Sequence, residues 1–146
     1  NATMAQALLA VFFGMSAVAF MAATFDSIVI TLCAFLVGYA SSRHILAQNG
    51  DKDFTLSTLV CGLVFAEISL LSSFWLIIYT FGNTGIRIPQ LAIVLTIFAF
   101  MYSKARQAIV EYQDDFRIKH ILAPVLFGIA LIGVIIIGFS NPIFNL

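Results

Sequence analysis

Apolar residues run along the chain in five long stretches, at about 4–24, 27–45, 55–81, 89–110 and 120–140, with polar and turn-forming residues gathered between them. A helix that crosses a bilayer needs roughly 20 predominantly apolar residues, and each stretch has that length. None shows the alternation of a barrel strand. Only helices and closed barrels satisfy their backbone within lipid, so the pattern predicts five transmembrane helices. The predicted fold is all-α: residues 1–146 form a single polytopic membrane helix bundle.

Local signals place the ends of these helices. Asp26 stands between the first two with almost no connection and can cap the second, which makes the pair a tight antiparallel hairpin. The second closes at Gln48-Asn49-Gly50, Asp53 and Thr55 lead into the third, Gly82-Asn83 end it, and Pro89 suits the first turn of the fourth. Residues 5–19 resemble the apolar part of a signal peptide ending in Ala17-Val18-Ala19, but no positively charged segment precedes them, so they read as a retained helix.

Composition moves the picture in the same direction. The chain is 62% hydrophobic and 10% charged, with a mean hydropathy of +1.06. Soluble domains run at about 45–50% apolar and about 25% charged, so this chain cannot cover a water-facing surface, and membrane lipid is its expected surrounding. Seven basic and seven acidic residues cancel, which leaves no basic face for nucleic-acid phosphates. Cys33 and Cys61 lie in apolar runs without a CxxC or Cys/His cluster, and read as packing residues rather than disulfide or zinc ligands. No cofactor is implied.

The basic residues set an orientation. Arg43 and Lys52 flank the second connection, and Lys104, Arg106, Arg117 and Lys119 the fourth, whereas the third has Arg87 alone. The positive-inside rule makes the side with six of the seven cytoplasmic, with the amino terminus inside and the carboxyl terminus outside. Trp75, Tyr79 and Tyr102 suit the interfacial aromatic belts.

Small residues suggest packing faces. Ala7, Ala10, Gly14 and Ala17 recur at steps of three and four on the first helix, and Ala34, Gly38 and Ser42 do so on the second. Such faces let backbones approach closely where lipid removes any hydrophobic drive between helices, and they can serve this chain's own packing or a second subunit. Gly128, Gly133 and Gly138 repeat every five residues and are spread around the last helix, much of which is expected to face lipid.

Glu67 is the one acidic residue expected near the midplane, in the middle of the third apolar stretch with Ser69, Ser72 and Ser73 just beyond it. A charged Asp at a helix centre costs about 2.5–3.5 kcal/mol on insertion scales, so a carboxyl group there calls for protonation, a partner or water. Glu67 is therefore a candidate for an ion or proton pathway, or for a hydrogen bond to a neighbouring helix.

The fourth helix is expected to extend into the cytoplasm at about 103–118, with Ala105, Ile109, Tyr112 and Phe116 on one face. Glu111, Asp114 and Asp115 share another face and could hold a divalent cation through oxygen ligands, or simply face water with Asp115 and Lys119 paired. His44 and His120 fall at the same membrane face and are the remaining candidate metal ligands. No nucleophile elbow, HExxH, phosphate-binding loop or dinucleotide fingerprint occurs, so no catalytic residue is assigned. The expected function is that of a non-catalytic multi-pass subunit of a homo-oligomer or larger membrane complex. Alternatives are an oligomeric channel using Glu67 and an enzyme or a metal or lipid-headgroup site at the cytoplasmic face.

Overall fold

The computed structural model describes residues 2–48, 54–74, 77–80, 84–112 and 118–139. Five helices, α1 (Ala2–Met21), α2 (Ser27–Gln48), α3 (Phe54–Ser72), α4 (Gln90–Glu111) and α5 (Lys119–Phe139), carry the fold. Each is long and apolar enough to cross a membrane, which is consistent with a membrane helix bundle. Two short strands, β1 (Ile78–Thr80) and β2 (Arg87–Pro89), lie between α3 and α4.

The α1–α2 turn is tight, as its sequence suggests. Phe25 N donates to Met21 O to finish α1, and Ile30 N donates to Asp26 O, so Asp26 enters α2 through its carbonyl. Helix α1 packs on α2 and α4, α3 packs chiefly on α2, and α5 packs on α4. The core joins the first four helices through Val11, Met15, Ala34, Phe65, Ala92 and Leu95. Helix α5 stands at the edge, where Gly128 lets Met101 of α4 press against its backbone while Gly133 and Gly138 meet open space. Its remaining surface is largely exposed. Pro124 lies inside α5 and lacks the N–H that would reach the His120 carbonyl one turn back.

The third helix departs from its predicted span of 55–81. It stops at Ser72, where Ser72 Oγ donates to Ser69 O and Ser73 Oγ to Leu70 O, and Ser73 N is shared between the same two carbonyls. Hydroxyls that bond back to their own turn compete with helix continuation. Past this point Ile77, Ile78, Tyr79 and Thr80 are β-branched or aromatic, residue types that favour strands. They turn back as an antiparallel pair with Ile78 opposite Pro89, Tyr79 opposite Ile88 and Thr80 opposite Arg87. Gly85, at φ +71°, supplies a left-handed backbone position in the loop.

Two smaller corrections follow. Pro89 ends β2 and caps α4 rather than opening its first turn, and Gln90 N donates to Ile77 O, which ties the helix start to the hairpin. Helix α4 runs to Glu111 and is capped at Tyr112, so the predicted extension is helical over 103–111. Residues 113–117 lie outside the described residues.

Candidate functional site

Alternating helix directions give the bundle two ends. The hairpin end gathers the close of α1 and α3, the start of α2 and α4, and the two strands. The charged end gathers the close of α2 and α4 and the start of α5, with Arg43, Lys104, Arg106 and Lys119.

Glu67 is an exposed residue on the outward side of α3. Phe65 and Ser69 on either side of it in sequence turn inward and are buried. Because α3 ends at Ser72, its midpoint is Leu63, and Glu67 stands about 6 Å further along the axis toward the hairpin end. The helix is thus shorter than the span of 55–81 from which its centre was read.

The outward side of α3 has a regular pattern. Leu56, Val60, Leu63, Leu70 and, just past the helix, Phe74 are all exposed, and with Glu67 they follow one another at steps of 4, 3, 4, 3 and 4 residues. From Leu56 to Leu70 the repeat averages 3.5 residues, the spacing by which two helices pack along a common seam. Glu67 is the single polar position in that row.

The small-residue faces divide between inside and outside. On α2, Ala34, Gly38 and Ser42 are buried within the chain, and a Cβ at Gly38 would meet the Phe65 ring. This face is covered by α3 and is not open to a second subunit. On α1, Ala7 is buried and Gly14 lies against Val37 of α2, whereas Ala10 and Ala17 point outward.

At the charged end the described metal candidates are His44, Glu111 and His120. His120 stacks on Tyr112 with ring centroids 4.0 Å apart and planes 14° from parallel. His44 and Glu111 are exposed, while Asp114 and Asp115 lie outside the described residues. Among the described residues no group of three His, Cys, Asp or Glu side chains is arranged to hold a metal ion. Arg43 Nη1 donates to Tyr39 Oη at 3.3 Å and Lys104 Nζ to Gln107 Oε1 at 3.2 Å. Tyr102 Oη donates to Ser57 O at 2.7 Å, which holds α4 to the start of α3. Tyr79 lies on β1, and Trp75 lies outside the described residues.

The hairpin end holds polar groups that the sequence pattern did not single out as a site. A cavity of about 370 Å³ between α3, α4 and α5 has walls that include Ile68, Leu71, Val94 and Ile136, with Ser72 and Gln90 as polar members. A second, of about 230 Å³, is lined in part by Ala22, Ile30, Ser69 and Ser73. Ser72 and Leu91 belong to both walls. Ser69 is 2% exposed and Gln90 6%; neither Ser69 Oγ nor Gln90 Nε2 makes a hydrogen bond of good geometry. Burial pushes the nearby Tyr79 phenol above its ordinary pKa, and the Gln90 amide pulls it down. A glutamine immediately after Pro89, at the head of an apolar helix, was the available signal.

These features define a helical bundle of membrane-spanning dimensions, with one carboxyl group on an otherwise apolar outer row. Compared with known proteins, the chain matches no family model, no curated protein and no solved structure.

Proposed function

We propose that the chain is an integral membrane protein crossing the bilayer five times and working as a non-catalytic subunit of a homo-oligomer joined through α3. The charged end is cytoplasmic by the positive-inside rule, which puts the amino terminus inside and the carboxyl terminus outside. The observation that carries the reading is Glu67 on the exposed apolar row of α3. A carboxyl group facing hydrocarbon is costly, and interhelical hydrogen bonds relieve that cost.

A second copy supplies such a partner by symmetry. Copies in the same membrane orientation bring their α3 helices together in parallel, so a two-fold interface sets Glu67 opposite Glu67 and the leucines opposite one another. One polar position within an apolar seam fixes register and partner number. Cysteine cross-linking in native membranes tests this. In a Cys33→Ser background, Leu63→Cys and Leu70→Cys form disulfide-linked dimers, and Phe13→Cys on the outer face of α1 does not. Equal cross-linking at all three positions, or at none, removes the α3 interface.

A further inference from the structure

The two cavities at the hairpin end are poorly suited to water. Water's share of liquid volume is about 30 Å³, so the larger cavity has room for roughly a dozen molecules, each needing two to four polar partners. Among the described residues its wall offers few, because Ser72 Oγ already donates to Ser69 O and the other lining residues besides Gln90 are apolar. That wall draws on the end of α3, the start of α4 and Ile136 of α5. Phe74 beside it is 82% exposed and Ile136 42%, so the space forms a cleft bordered by outward-facing residues. An occupant that is mostly hydrocarbon satisfies this wall.

The polar groups specify the other half of the occupant. Ser69 lines the smaller cavity and Gln90 the larger, and both are nine-tenths or more buried; Ser69 Oγ has no hydrogen-bond partner, and the Gln90 amide acts on the Tyr79 phenol without a bond of good geometry. A buried polar group left unpaired costs on the order of a lost hydrogen bond, so Ser69 Oγ, and the Gln90 N–H not directed at Tyr79, are donors for an acceptor in the cavity. Among the described residues no Lys, Arg or His contributes to either wall, so a phosphate or free carboxylate finds no counter-charge from them.

We propose that the paired cavities bind one uncharged acyl amphiphile of the membrane. Its chain lies in the cleft between Leu71, Val94 and Ile136, and its ester oxygens accept from Gln90 Nε2 and Ser69 Oγ. A neutral acylglycerol ester has this chemistry. The acyl-ester portion of a phospholipid shares it but brings a charged headgroup.

A monoacylglycerol bearing a diazirine on its chain tests the site in the full-length protein reconstituted in lipid vesicles, with labelled residues mapped by peptide mass spectrometry. Labelling concentrates on Leu71, Val94 and Ile136, and Ile136→Trp, which fills the cleft from its exposed side, reduces it severalfold. Ser69→Ala weakens labelling about three- to tenfold, as loss of one hydrogen bond does, without lowering the unfolding temperature of ligand-free protein in detergent. Unlabelled monoacylglycerol competes at lower concentration than a lysophospholipid of the same chain. Labelling spread evenly over the outward faces of α1 to α5, or unchanged by Ile136→Trp, overturns the site. Equal or better competition by the lysophospholipid overturns the uncharged head, and a fall in unfolding temperature in Ser69→Ala equal to that of a core truncation overturns the role of Ser69.

Discussion

A Cβ placed on Gly38 would stand 2.5 Å from Cγ of Phe65, so α2 and α3 meet here with a glycine backbone against an aromatic ring. Phe65 is fully buried and its ring lies edge-on to Phe98 of α4, which leaves it little room to withdraw.

Gly38→Ala therefore destabilises the folded chain by about 1–3 kcal/mol, the range for overpacking a filled core. Gly14→Ala, where the nearest atom is a Val37 methyl at 3.1 Å, costs less. Gly133→Ala meets open space and gains up to about 1 kcal/mol of helix propensity. Reversible unfolding in mixed micelles ranks the three. This series also separates folding from assembly, because Gly38 belongs to the chain's own core and a bulky residue there is no probe of a second subunit.

The hairpin between α3 and α4 depends on Gly85 at φ +71°. Gly85→Val places a β-branched residue in the left-handed region and costs about 1–2 kcal/mol. The loss is local: amide exchange quickens in the strand pair, at Tyr79 and Ile88, while protection in α1 and α2 holds.

Tyr79 gives the hairpin a pH dependence. Its phenol is raised above the ordinary value of 10.0 by burial, with the Gln90 amide acting in the opposite sense. Folding thus favours the neutral phenol: this contribution is complete below the unfolded value and is lost as pH rises through the folded one. Once corrected for the base catalysis of intrinsic exchange, opening of the strand pair increases above pH 10 in the wild type, and Tyr79→Phe removes that increase.

Several of these positions were legible in the sequence and others were not. The five helices follow from apolar runs too long for any other structure in lipid. The end of α3 was hidden because Leu76, Ile77 and Ile78 continue the apolar run, and short apolar segments do not distinguish strand from helix. The serines that stop the helix act through hydroxyl bonds to their own carbonyls, which composition does not reveal.

Faces were harder to read than elements. A soluble helix marks its inner side with a hydrophobic stripe, but these helices are apolar all round. Glu67 stands out in the sequence, while its outward direction emerges only from packing. On α1, a step of three residues turns the side chain about 60° back from a full circle, which separates exposed Ala10 and Ala17 from buried Ala7 and half-buried Gly14.

Association in lipid vesicles, followed by single-molecule photobleaching as the protein-to-lipid ratio falls, tests the central claim about Glu67 and α3 most directly. Interhelical polar contacts in membranes contribute about 0.6–2 kcal/mol. Wild type is accordingly a dimer at ratios where Glu67→Ala has begun to separate, with the midpoint shifted by about three- to thirtyfold, and Glu67→Gln, which keeps the hydrogen bond, follows wild type. A chain that stays monomeric at every ratio, or a Glu67→Ala curve that overlays wild type, contradicts the account.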